Sequence, residues 1–287
     1  MPDPNITKSS DLVVPEVLAD AVAAGFAGMA VLAGSGAAVV NDTLPGNMRA
    51  GTKVIVPYFG SIGELEELDE GEALTPVKLT QTGEEAIVQR AGKSFSPTEL
   101  AKLAGAGDVT EEATRQILEA VQRHVDKKLI EAAATTPLVH DITGKAEKTI
   151  SWDAVIDAKT QWGDEQDDIV LMVVHSRIWA DLCKLKDSGG KPLAMAVNDG
   201  TIDRFAGIPV LKSDRLPVSG GNYTSLILKR GSVVWWHAIA PRIRTGEDVD
   251  RDMDKLAVNV YGVTHMYKRM PGLTKPGVVK LITKAAT

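Results

Sequence analysis

Residues Val54 to Phe95 read as one long two-stranded arm, and no other stretch constrains the fold as much. The stretch opens VIVPYFGSIGEL, passes through ELDEGEALTPVKLTQTG and returns as EEAIVQRAGKSF. A lone two-stranded ribbon is marginal in water because it has too little apolar surface to bury. An arm of this length therefore has to lie on something else, and a neighbouring copy of the same chain is the simplest support. The pattern points to an assembly protein before any catalytic residue is sought.

The rest of the chain can supply a sizeable core. It has 287 residues and 44% hydrophobic composition, and a chain of about 300 residues buries roughly three quarters of its unfolded surface. One or two domains are expected. The net charge of −6 excludes a general polyphosphate binder, which needs a surplus of Lys and Arg. A single cysteine, Cys183, excludes an intrachain disulfide and a Cys-based zinc site, and suits a reducing cytoplasm. Ala21 to Val40 carries no charge over 20 residues, long enough to span a bilayer. It is mostly Ala and Gly, with few side chains to drive insertion, so it is expected to pack against protein.

Six acids, Glu64, Glu66, Glu67, Asp69, Glu70 and Glu72, crowd the bend of the arm. The calcium-loop pattern of alternating Asp or Asn followed by Gly is absent. The expectation is a solvated bend or a contact with basic groups on a neighbour. Pro57 limits pairing along one edge of the arm.

Downstream, apolar and small side chains recur at Val109, Ala113, Ile117, Ala120, Val121, Val125, Leu129 and Ala132, the spacing of one buried helical face. Asp108 and Glu111 form a capping box, and Pro137 follows the end. A helix over 108–134 would be about 40 Å long, enough to act as a subunit backbone. From Ser151 the pattern changes to short α/β units. Ser151 caps a helix with Trp152, Val155, Ile156 and Trp162 on one side. Ile169–Val174 is a strand covered on both faces. Ser176 opens a helix, and 207–211 forms a short strand. Further strands are expected at 225–228, 233–237, 242–247, 255–263 and 277–282.

Catalytic signatures are missing. None of His124, His140, His175, His237 and His265 is four residues from another, so the helical zinc-protease arrangement is absent. Cys183 lies beside Leu182 in an amphipathic helix and is expected to be a buried structural thiol. Gly34-Ser35-Gly36 has Val39 where a dinucleotide loop needs its third Gly. Trp235 and Trp236 point to opposite faces of a strand, so at least one belongs to a core or an interface. No catalytic residue, cofactor or metal site is expected.

The order of these elements resembles the major capsid proteins of tailed bacteriophages, with the Hong Kong 97-type capsid fold shared in outline with encapsulin shells. The stretches that carry the likeness are DLVVPEVLADAV, VIVPYFGSIGELEELDEGEALTPVKLT, DRFAGIPVLKSDRLP, VDRDMDKLAVNVYGVTH and PGVVKL. The resemblance implies an α+β fold: an N-terminal arm (1–50), an extended β-hairpin loop (51–95), a peripheral domain (96–150 and 226–287) built on the spine helix, and an α/β axial domain (151–225). It implies a homo-oligomer of pentamers and hexamers in the shell of a virion. That shell would enclose double-stranded DNA without sequence-specific binding and without a membrane. Separate scaffolding, portal and decoration proteins are compatible with it, and the early start of the arm makes scaffolding separate or unnecessary. The intersubunit contacts it suggests are Glu64, Glu66, Glu67, Asp69, Glu70, Glu72 and Lys78. Some relatives link a loop Lys to an Asn covalently. Lys53, Lys78, Lys93 and Asn259 are the candidates here, with no alignment between them, and no crosslink is expected. The alternatives are an encapsulin-like compartment around a cargo enzyme and, in another class, an enzyme using Cys183.

Overall fold

The longest described helix forms where apolar spacing demands it, and its buried stripe organises the two larger sheets. The computed structural model describes residues 32, 35–41, 50–59, 67, 74, 76–97, 109–186, 195–197, 201–248, 253–269 and 274–286. In chain order the elements are β1 (Ala38–Asn41), β2 (Lys53–Phe59), β3 (Gln81–Ile87), β4 (Gln89–Phe95), α1 (Val109–Ala133), β5 (Val139–Asp141), α2 (Trp152–Thr160) and β6 (Ile169–Val174). They continue with α3 (Ser176–Lys184), β7 (Met195–Val197), β8 (Thr201–Phe205), β9 (Ile208–Lys212), β10 (Val218–Ser219), β11 (Asn222–Lys229), β12 (Val233–Asp248), β13 (Met253–Met266) and β14 (Val278–Lys284). Of the expected N-terminal arm (1–50) only residues 32, 35–41 and 50 are described, and the Asp108 cap and five of the six clustered acids lie outside the described residues.

Helix α1 buries Ala113, Ile117, Val121, Val125 and Leu129, then Ile130 and Ala133. A strict four-residue spacing drifts about 40° per step around the helix, so the stripe winds across more than one layer. The same core cluster holds Trp235, Ile243, Leu256 and Val258 from one sheet and Leu171, Val173, Leu226 and Val278 from another.

The first of these sheets has four strands in the order β1-β12-β13-β4. Strand β1 runs parallel to β12, and Leu32, Ala37 and Ala38 are buried. The end of the uncharged Ala-Gly stretch is thus core, and no described helix is long and apolar enough to cross a membrane. The strands expected at 233–237 and 242–247 are one 16-residue strand, β12. Its pairing with β13 is irregular between His237 and Arg242. Pro241, which has no N–H to donate, falls in that irregular stretch and breaks the sequence pattern without ending the strand.

The second sheet follows the order β5-β14-β11-β6-β9-β8-β7, with β10 paired to β11. The apolar run of β6 is central, antiparallel to β11 and parallel to β9. Leu171 and Val173 face the α1 cluster, while Met172 and Val174 face a second cluster with Val155 and Ala158 of α2 and Ile178 and Leu182 of α3. Both faces are covered, as a continuous apolar strand requires. Gly220 and Gly221, with φ of 58° and 78°, supply the two left-handed positions of the tight β10–β11 turn.

Two expectations change. Trp152 and Ile156 are exposed, and α2 buries Ala154, Val155 and Ala158 instead. Small residues let this short helix sit close on the sheet. The cap of α3 is His175, whose side chain accepts from Arg177 N–H. The expected boundary between 225 and 226 falls inside β11, which pairs β6 on one side and the C-terminal β14 on the other.

Two polar devices pin this arrangement. Asp126 of α1, buried, accepts from Leu32 N–H and from Arg215, each at 3.3 Å. Lys229, also buried, donates to the Glu165 carbonyl and lies over the Trp162 ring. Burial pulls its pKa below the usual lysine value.

Leu129 is fully buried where the helix stripe meets the shared core. Leu129→Ala is expected to cost about 3 kcal/mol, read from denaturant unfolding of unassembled subunits. Gly262→Ala would put a Cβ 2.1 Å from the Trp235 ring and is expected to destabilise by about 1–3 kcal/mol in the same assay.

Candidate assembly surface

Strands β2 and β3 form a separate two-stranded sheet, paired from Lys53 opposite Ile87 to Phe59 opposite Gln81. Directly opposite residues share a face, so the register sorts the ribbon into two sides. One side carries Val54, Val56, Tyr58, Glu84 and Ala86; the other carries Lys53, Ile55, Phe59, Glu85 and Ile87.

The first side belongs to the subunit. Val56 and Ala86 are buried, and Ala86 joins Val88, Ala238 and Val263 in a small core flanked by Val54, Trp236 and Tyr261. Glu84 pairs with Lys268 at 3.0 Å. At the base, Val88 exchanges backbone hydrogen bonds with Gly51 and Thr52. After Val88 the chain enters β4, which pairs with β13. The two-stranded arm therefore ends at Ile87. The last seven residues of the expected ribbon are part of the four-stranded sheet, because β13 offers them a partner strand.

Among the described residues nothing covers the second side. Ile55, Phe59 and Ile87 are each more than half exposed, as are Leu74 and Val77 in the connection. With Leu79, six of the eleven large exposed hydrophobic residues described lie between 55 and 87, so the unpartnered apolar surface is concentrated on the arm. Ile55 lies across Gly83, where a Cβ would come within 2.4 Å of its Cγ2. Lys53 and Glu85 pair at 2.5 Å beside it, a contact that contributes little where both groups are exposed.

Of the residues expected at intersubunit contacts, Glu67 and Lys78 are described, and both are exposed. Glu64, Glu66, Asp69, Glu70 and Glu72 lie outside the described residues. Among described residues no group of three or more His, Cys, Asp or Glu side chains could hold a metal ion. Lys93 lies opposite Val258, next to Asn259, within one subunit, and the Asn259 side-chain oxygen accepts twice from Arg90, at 2.8 and 3.0 Å.

Ile55, Phe59 and Ile87 were not singled out from sequence, although the period-two pattern of KVIVPYF contains them. Alternation alone does not say which side a subunit keeps. Cys183 is exposed, against expectation. Ile178 and Leu182 take the buried stripe of α3, and Cys183 lies about 100° further round. Partial desolvation pushes its thiol pKa up, the opposite of what a thiolate nucleophile needs. His237 accepts from Trp235 Nε1 at 3.2 Å, and His265 stacks on Trp236. Trp235 is core and Trp236 sits on the other side, beneath the hairpin.

The geometry has counterparts among solved structures. The capsid of a native GTA particle superposes with a TM-score of 0.67 at 15% identity, covering 99% of this chain and 95% of that one. The capsid of Ralstonia phage GP4 gives 0.66 at 11% identity, covering 100% and 97%. The capsid of cyanophage P-SCSP1u gives 0.63 at 13% identity, covering 87% of each. At these identities the likeness speaks for the fold, which is the Hong Kong 97-type capsid fold. No curated protein sequence matches the chain. The family model for phage capsid protein matches residues 82–269, well over half of the chain and including β3, the spine helix and most of both sheets. The chain belongs to the phage capsid protein family.

Proposed function

We propose that this major capsid protein builds its icosahedral shell by laying the outward face of β2–β3 across a neighbouring copy. The observation that carries this reading is the strip of Ile55, Phe59 and Ile87, exposed on a ribbon whose other face is already packed. Burying one such side chain contributes roughly 1.5–3 kcal/mol. Each contact is modest alone, but a closed shell repeats it in every subunit, and linked contacts reinforce one another. Pentamers and hexamers joined by heterologous contacts are the assembly units. The acids at 64–72 and Lys78 would lie in the same interface.

The four-stranded sheet with α1 is assigned to the peripheral region. The second sheet, with α2, α3 and the C-terminal β14, is assigned to the axial region. Synthesis in the host cytoplasm, packaging of double-stranded DNA and separate scaffolding, portal and decoration proteins complete the reading. The match to a phage capsid family favours a genome over a cargo enzyme as the content of the shell.

Ile55→Asp combined with Phe59→Asp is expected to leave the subunit folded by circular dichroism and to lower shell yield at least about tenfold, since losing a central apolar contact typically costs 2 kcal/mol or more. Electron microscopy and sedimentation read the yield. Shells formed at the wild-type level would end this account of the hairpin. Cys183→Ala is expected to assemble like wild type. Cys183 in the free subunit should be alkylated more slowly than free cysteine at pH 8, with the rate rising as pH increases. Loss of assembly, or a thiol faster than free cysteine, would restore a chemical role for that residue.

A further inference from the structure

The hairpin is fastened to its own subunit over a small area, and a titratable side chain lies under that fastening. Ala86 and Val88 pack with Ala238 and Val263, flanked by Val54, Trp236 and Tyr261. Glu84 pairs with Lys268 at 3.0 Å, and Val88 exchanges backbone hydrogen bonds with Gly51 and Thr52. Strands β2 and β3 share no ladder with any other described strand. Helix α1 packs on the opposite face of the four-stranded sheet, so the sheet and its main core do not depend on the ribbon.

His265 lies in β13 two residues beyond Val263 of the small core, so both side chains point to the hairpin side. It is buried, at 8% exposure. Its ring stacks on Trp236, with centroids 6.3 Å apart and planes 24° from parallel. It also meets the Tyr267 ring edge-on at 5.3 Å. From β12 it faces Trp236 and, directly opposite, Val234, neither of which titrates. From β3 it faces Glu84, whose charge favours the imidazolium, and from beyond the end of β13 it faces Lys268, whose charge opposes it. Strand β2 carries Val54, Val56 and Tyr58 on the same side of the ribbon as Glu84. Burial raises the Tyr267 pKa, so that ring stays neutral beside His265. Burial also outweighs Glu84 and holds His265 below its ordinary value of 6.5.

Protonation makes both imidazole nitrogens donors and places a charge under desolvated cover. Lifting the ribbon returns the ring to water, where it titrates near its ordinary value. The lifted state therefore binds a proton more readily than the attached one. Attachment is fully favoured above about pH 6.5 and weakens as pH falls through that value, until the attached form is protonated too. Across that window the balance shifts by up to about tenfold per pH unit. The Glu84–Lys268 pair offers little resistance, because the Lys268 side chain is 62% exposed.

We propose that His265 is a proton-operated release for the hairpin, whose protonation frees the inner face of β2–β3 from the four-stranded sheet of its own subunit. The attached ribbon presents Ile55, Phe59 and Ile87 in one orientation, and the freed ribbon does not. The release regulates the clasp described above and rests on that reading for its effect on assembly.

Hydrogen exchange read by mass spectrometry on unassembled full-length subunits tests it, with rates corrected for their intrinsic pH dependence. Between about pH 7.5 and 5.5 the amides of β3 are expected to lose protection about tenfold or more, while those of α1 keep theirs. His265→Phe and His265→Gln are each expected to abolish that response. Protection of β3 that does not change with pH overturns the proposal. So does persistence of the response in either folded variant, which would place the proton on another group such as Glu84. Opening of α1 together with the ribbon is ordinary acid unfolding and also overturns it. If neither variant folds, the His265 ring resonances of the wild-type chain decide. Their midpoint is expected below 6.5, with the β3 amides shifting at the same midpoint. A midpoint at or above 6.5, or amides that do not follow it, overturns the proposal. The clasp is tested separately by Ile55→Asp with Phe59→Asp. Shells from that variant at the wild-type level end the clasp and leave the release as a property of the subunit. Loss of shells beside a pH-insensitive ribbon leaves the clasp standing and ends only the release.

Discussion

Val121, Val125 and Leu129 of α1 lie in a core that also contains strands from the two larger sheets, and the rest of the molecule is arranged around that contact. A helix of 25 residues is about 38 Å long, so one rigid element can touch two layers that share no strand. Its four-residue spacing makes the stripe wind, and that winding allows one helix to serve two sheets. Asp126, on the same helix, ties Leu32 and Arg215 into the joint. Because packed interiors resist deformation, the two sheets keep a fixed relation, and surfaces built on each are presented to neighbours in a defined geometry.

The hairpin shows how a fold can be incomplete by construction. Its inner face has a small core of its own and an ion pair to Lys268, which hold it against the subunit. Its outer face leaves Ile55, Phe59 and Ile87 in water. Scattered exposed apolar residues are ordinary on soluble proteins, whereas a concentration on one projecting element marks an interaction surface. A capsid subunit has to fold alone and then associate, and dividing one ribbon between these two tasks meets both demands. Two groups weighed for chemistry have ordinary surroundings. Buried His237 accepts from a Trp side chain, and the single thiol lies on a helix surface with its pKa raised.

Elements with strong periodicity were legible in the sequence. The spine helix, the buried run of β6 and the Ser151 cap appear close to their expected places, since each is set by local spacing or by a local hydrogen bond. Other features depend on partners that a sequence does not display. The return strand of the hairpin splits at Val88 because β13 is available beyond it. Strand β12 continues past Pro241 because an irregular register absorbs the missing donor. Trp152, Ile156 and Cys183 are exposed although their residue types favour burial, because smaller or better-placed neighbours took the buried positions.

By itself the sequence determined that this chain has a long arm unable to stabilise itself, a helix long enough to be a backbone, and no set of residues spaced for catalysis. Those conclusions follow from periodicity, length and composition, which are local properties. Only the tertiary structure decided which face of the arm the subunit keeps, which strands share a sheet, and that Glu84, His265 and Lys268 meet beneath the hairpin. Those residues are separated by up to 184 positions along the chain, counting from Glu84 to Lys268, and only the packing of the ribbon on β13 brings them together.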